Sequence, residues 1–183
     1  MRAPSGQMTG PELRALLEDG ALAGEWVLEP RSSIVRLKAK TMGLVPVNGV
    51  FREVSGHGIV SVDGEVSGSL TVAAASIDPG NARRDTHLRS ADIFDSRNHP
   101  HLVFHADAIR PSGRGVAVTG ALTVRGRTRP LSFDAMASVP GDGEIWLDAG
   151  ASINRGDFGL TWKSDRRASR TGTVTIHAVF ARR

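Results

Sequence analysis

The chain contains no cysteine among its 183 residues. This excludes a disulfide framework, a thiolate metal site, an iron–sulfur cluster and a Cys nucleophile. There is no tyrosine, and only nine residues are aromatic, six Phe and three Trp. Nucleic-acid modules stack bases on aromatic platforms, so this shortage argues against specific nucleic-acid recognition. Lysine is scarce as well: of the 23 basic residues, three are Lys and 20 are Arg. No apolar run approaches the ~18 residues of a membrane-spanning helix. The first ten residues carry one Arg and no apolar stretch of the signal-peptide kind, so the expected location is the cytoplasm.

What is present is turn chemistry and β-branched side chains. Glycine numbers 21 and proline nine, and Val, Ile and Thr together number 36. At 40% apolar and 23% charged, the composition suits one folded domain with a complete core. The net charge of +4 is modest, and much of the excess sits near the C-terminus at Arg166, Arg167, Arg170, Arg182 and Arg183. A basic balance of this size reads first as a solvated surface.

The only strong helical signal lies at the start. Thr9 and Glu12 have capping-box spacing around Pro11, and Leu13, Leu16 and Leu17 then recur at helical intervals. This predicts a short helix over 10–19, ended at Gly20 or Gly24, within an N-terminal extension of 1–23. From Trp26 the period changes to two, marking a β domain over 24–183. Val35, Leu37 and Ala39 alternate with Arg36, Lys38 and Lys40, and later segments repeat the pattern. Strands are expected at 33–41, 45–62 with a kink near Gly56 and Gly58, 67–77, 101–110, 115–125, 128–139, 144–154 and 171–182. Asp63-Gly64 is a hairpin signal. Residues 81–95 lack alternation, and a second short helix is expected near 82–90. Eight consecutive antiparallel strands fit an all-β, up-and-down barrel, which removes exposed edges.

The inward parity is rich in alanine: Ala74, Ala106, Ala135, Ala149 and Ala151. Two readings follow. Either the alanines complement larger neighbours in a filled core, or they leave an open apolar interior. An open interior would take an apolar ligand, since each buried methylene contributes roughly 0.8 kcal/mol.

Candidate reactive groups are weak. His101 and His105 stand roughly 13 Å apart along a strand and share the outward parity, so they cannot hold one ion. Asp85, His87 and Ser90 lie close together but lack a nucleophile elbow. Gly113–Gly120 is not a phosphate loop, having no following Lys-Ser/Thr pair. No metal site and no catalytic set is expected. The turn at 125–128, Arg-Gly-Arg-Thr, is either a solvated hairpin tip or a contact for an anionic headgroup. Phe158 and Trp162 either plug a barrel end or line a ligand entrance.

Four segments in register are similar to the YceI-like family of lipocalin-like, polyisoprenoid-binding proteins. They are Gly24-Glu25-Trp26 with Ser32 to Val35; Arg84 to Asp95 followed by His99-Pro100 and Phe104; Gly120 to Pro130; and Ile153 to Gly159. The resemblance runs from Trp26 to Phe180, about 155 of the 183 residues. The resemblance implies an eight-stranded lipocalin-like barrel around a long apolar pocket. The implied ligand is a polyisoprenoid, an isoprenoid quinone or a fatty acid or amide, with no other cofactor. Candidate ligand contacts are Phe51, Ile77, Leu88, Ile93, Phe94, Phe104, Phe133, Ile153, Phe158 and Trp162. Candidate headgroup contacts are Arg84, His87 and Arg155. Relatives suggest a homodimer as a candidate assembly, and the basic rim suggests peripheral membrane contact. The expected role is lipid binding, storage or transport without catalysis. The alternatives are an enzyme acting on an isoprenoid lipid, or an interaction module whose basic rim docks on a membrane or nucleic acid.

Overall fold

The computed structural model describes residues 6–40, 46–91, 93–141, 143–160 and 171–183. Among the described residues, eleven strand segments lie in one antiparallel sheet: β1 (Gly24–Leu28), β2 (Ile34–Lys40), β3 (Pro46–Phe51), β4 (Val54–Val60), β5 (Val66–Ala73), β6 (Ile77–Asp78), β7 (His101–Ser112), β8 (Gly115–Val124), β9 (Arg127–Gly141), β10 (Glu144–Asn154) and β11 (Thr171–Arg182). The pairing order is β1-β4-β5-β7-β8-β9-β10-β11-β2-β3-β6, and β1 closes the ring on β11. The eleven segments form eight barrel staves, because β1–β2, β3–β4 and β5–β6 are each one bent stave.

The bends correct the expected strand limits. β11 pairs with β1 near its C-terminal end and with β2 near its N-terminal end, so residues 29–33 bridge a change of level. The ladder stays satisfied there: Glu29 N–H donates to Val179 O at 2.8 Å, and Val179 N–H donates to the Ser33 hydroxyl at 3.0 Å. The single strand expected at 45–62 breaks at Arg52–Glu53, not at Gly56 and Gly58, which lie within β4. Arg52 N–H turns instead to Ser76 O. The strand expected at 67–77 ends at Ala73 and continues through a 3-10 turn into β6. β1 itself adds a segment that the expected strand set did not include.

Helix α1 (Gly10–Glu18) begins at the expected capping box. Thr9 N–H and its hydroxyl donate to the Glu12 carboxylate at 2.7 and 2.8 Å, and Thr9 Oγ1 accepts from Glu12 N–H. Those donors hold the Glu12 carboxyl below its ordinary value. The buried face of α1, Leu13 and Leu17, closes one end of the barrel with Leu22 and Trp26. Trp26 is 2% exposed, donates to Leu22 O and lies under the Arg182 guanidinium at 4.7 Å.

The other end is built differently. Helix α2 (Ala82–Arg89) starts at Asn81, whose side chain accepts from the Arg83 and Arg84 N–H groups. It is too polar to hold itself by an apolar stripe and buries a single residue, Leu88. The following turns carry Ile93 and Phe94 into the core, fixed by Phe94 N–H to Leu88 O and Asp95 N–H to Ser90 O. This segment lies beside β6, beyond the point where β5 ends its pairing with β7 at Ala73. Asp85 and Arg89 form an ion pair at 2.9 Å along its surface.

Candidate functional site

Inside the staves the alternation places Val, Leu, Ile, Phe, Ala and Gly on the lumen. The lumen is not filled. It holds two apolar chambers of about 120 and 150 Å³. The first lies beneath α2, between β2, β3, β10 and the 3-10 turn Arg155–Phe158. The second lies beneath α1. Leu70, Phe104, Phe133 and Ile176 line both, so the chambers meet at the barrel waist. There the Phe104 and Phe133 rings stand 5.3 Å apart.

Small residues open the second chamber. Gly58, Gly68 and Ala106 face one another on three adjacent strands and line it. Ala135, Ala137 and Ala149 line the same chamber. Of the two sequence readings of the alanines, the open interior is the one the packing realises, with Ala151 lining the first chamber. Ala74 is the exception: it is fully buried in the 3-10 turn after β5, off both chambers, where its N–H donates to Pro100 O.

Most of the sequence-derived candidates converge on the first chamber. Phe51, Leu88, Ile93, Phe94, Phe104, Phe133, Ile153 and Phe158 all line it. Phe51 and Phe94 meet edge to face at 6.1 Å. Ile77 does not reach it. This fully buried side chain packs on the Cα of Gly49, leaving no space for a Cβ there, and so serves as wall packing. Arg84 and His87 line neither chamber: His87 is exposed, and Arg84, on the same helix face as Leu88, is half-buried but does not reach the lumen. Among the described residues, Arg155 is the only charged one lining the first chamber. Trp162 lies outside the described residues. The sequence reading did not single out Leu70 and Ile176 at the waist, or the glycines of the second chamber. Their lumen parity was legible, but their position along the barrel axis depends on stagger between strands.

No trio of His, Cys, Asp or Glu suited to a metal occurs among the described residues. His101 and His105 are both exposed, on the outer parity of β7. His177 Nδ1 and Asp148 Oδ1 pair at 2.7 Å on the outer face of β10 and β11, with Trp146 edge-on to the imidazole.

The model of the YceI-like domain matches residues 26–180. The chain belongs to the YceI-like domain family. Its relatives include a UPF0312 protein of Pseudomonas putida, 32% identical over 158 residues, covering 80% of this chain and 82% of the relative. Protein YceI of Escherichia coli is 27% identical over 140 residues, 72% of this chain and 73% of that one. Among solved structures, BcnA of Burkholderia cenocepacia superposes with a TM-score of 0.76 at 23% identity, covering 83% of this chain and 98% of BcnA. A polyisoprenoid-binding domain from Saccharophagus degradans superposes at 0.69 with 15% identity, covering 86% and 98%. The YceI-like match begins at Trp26, so α1 and its lid over the second chamber lie outside it.

Proposed function

We propose that this YceI-like barrel binds a long apolar lipid chain in its lumen, of polyisoprenoid, isoprenoid-quinone or fatty-acid and fatty-amide type, and stores or carries it without converting it. The observation that carries this reading is the pair of apolar chambers meeting at Phe104 and Phe133. Apolar cavities of this size stay dry and take up apolar guests. A ten-carbon chain would gain roughly 8 kcal/mol gross from leaving water, before ordering costs are subtracted. The solved relative described as polyisoprenoid-binding supports the ligand class. Binding without turnover fits the placement of the polar pair that the described residues show at 2.7 Å: His177 with Asp148 lies on the outer wall, off the lining of both chambers.

Native mass spectrometry of freshly purified protein, followed by solvent extraction, tests the reading. A co-purified lipid near one per chain, or stoichiometric uptake of an added polyprenol, is expected. An empty protein that takes up neither polyprenols nor fatty amides would overturn it.

A further inference from the structure

Helix α1 lies across the end of the second chamber and is seated at both of its own ends. At its start Gly10 rests on the β7–β8 turn. Its N–H donates to Gly113 O at 2.7 Å, and a Cβ there would come within 3.1 Å of the Ser112 backbone. Just before it, Met8 N–H donates to Ala137 O at 2.9 Å and ties the entering chain to β9. At the other end Gly64, in the β4–β5 hairpin, packs on Leu17, where a Cβ would stand 3.2 Å from Leu17 O. The chain leaving the helix is held by the Arg182 guanidinium, which donates to Ala21 O and Ala23 O. Anchored on several staves at once, α1 is a fixed floor. The side chains it turns inward, Leu13 and Leu17, line the second chamber, whereas the half-buried Leu16 does not. Strand β9 measures the depth above this floor: its lumen row runs from Leu131 in the first chamber to Val139 in the second, eight positions on. That distance is about 26 Å along the strand and about 20 Å along the barrel axis at the usual tilt.

From this seating we infer that α1 makes the lumen blind at that end, and that Leu13 and Leu17 set the length of chain the protein encloses. The inference rests on the lipid-binding reading and deepens it. A guest threads in from the α2 end, and its far end stops on Leu13 and Leu17. An extended carbon chain advances about 1.3 Å per bond of about 1.5 Å, so the lumen encloses about 15 carbons, or about three isoprene units. A longer chain keeps its excess outside, where it gains nothing from burial. Each added methylene should therefore tighten binding roughly fourfold up to the limit and not at all beyond it. Because α1 precedes the YceI-like match, this limit belongs to the N-terminal segment of this chain.

The test measures the affinity of the full chain for straight-chain primary alcohols from octanol to eicosanol, by displacement of a fluorescent fatty acid. The unaltered protein should show affinity rising with length to a plateau. Leu13→Ala should move that plateau to chains about two carbons longer, and Leu13→Phe to chains about two carbons shorter, because they deepen and fill the same end. Leu16→Ala removes a similar apolar group from the same helix and should leave the plateau in place. Thermal melting confirms that each variant is folded; if Leu13→Ala is not, a shorter plateau in Leu13→Phe supports the inference and an unmoved one overturns it. A plateau unmoved in both Leu13 variants would overturn it, because the chain would then not reach α1. An equal shift in Leu16→Ala would overturn it too, since loosening of the helix would explain the change. So would affinity still rising at eicosanol in the unaltered protein, because the end would not be blind. Each of these results leaves the lipid reading intact. Failure of the fatty acid and of every alcohol to bind would overturn the lipid reading itself.

Discussion

Phe104 on β7 and Phe133 on β9 lean together over the intervening strand β8, with ring centroids 5.3 Å apart and planes inclined at 49°. Both rings line both chambers. A chain longer than the first chamber must pass them. Replacing both with Trp should therefore stop uptake of long polyprenols while preserving the barrel. Native mass spectrometry reads the uptake and circular dichroism the fold. Unchanged uptake would show that long chains do not cross the waist.

Ala149 and Ala135 supply the space of the second chamber. Ala149→Leu should shorten the longest chain the protein accepts without affecting short ones. Because it fills a void, its cost should stay below the ~1–3 kcal/mol of overpacking a filled core. A series of alcohols of increasing length, read by displacement of a fluorescent fatty acid, would show the cut-off moving.

The 90–95 segment holds its place through Phe94, which is 4% exposed and packed edge-on against Phe51. Phe94→Ala should cost about 3–5 kcal/mol, the usual range for an aromatic lost from a core. Arg83→Ala, at an exposed position on the preceding helix α2, should stay within about 0.5 kcal/mol. Urea denaturation measures both.

Gly120 lies so close to β7 that a Cβ would fall 2.0 Å from His105 O and 2.9 Å from the Phe104 ring. Gly120→Ala should destabilise by about 3 kcal/mol or more, since backbone must move. It should also displace Phe104 and so alter the waist. A Tm drop, read with the change in polyprenol uptake, tests both effects together.

Thr9→Ala removes the hydroxyl cap of α1 and should cost about 1 kcal/mol of local helix stability. Hydrogen exchange at Leu13 and Leu17 reports it. The same helix should loosen in acid. The Glu12 carboxyl is lowered by the Thr9 backbone N–H first and the Thr9 hydroxyl second. Its contribution is thus complete above the ordinary carboxylate value of 4.5 and is lost as pH falls through the lower folded value. Glu12→Gln should flatten that acid dependence of exchange in α1 while leaving exchange in β8 unchanged.

Much of this was readable in the chain because it is local. The capping box of Thr9 and Glu12, the alternation that sets Val116, Val118, Leu122 and Val124 inward, and the turn at Asp63-Gly64 each depend on residues a few positions apart. The up-and-down order followed because most connections are short, those from β6 to β7 and from β10 to β11 excepted. The broken staves were not readable. Their breaks at 29–33 and 52–53 arise because a closed barrel must stagger its strands, so β11 changes partner along its length. Ile77 shows the same limit: its parity suited the lumen, but only the approach of β3 at Gly49 decided that it packs the wall.

The sequence by itself determined which side chains face inward, since parity is a property of the backbone. Whether those side chains meet across the barrel was decided only by tertiary structure, because cavity volume depends on every stave at one level of the axis. The alanines of β9 and β10 leave a chamber because Gly58 and Gly68 stand at their level with no side chains to fill it. Likewise, Arg155 follows Arg125 and Arg127 by about thirty residues in the chain. They become one cluster only because the β8–β9 turn and the 3-10 turn after β10 share the same rim.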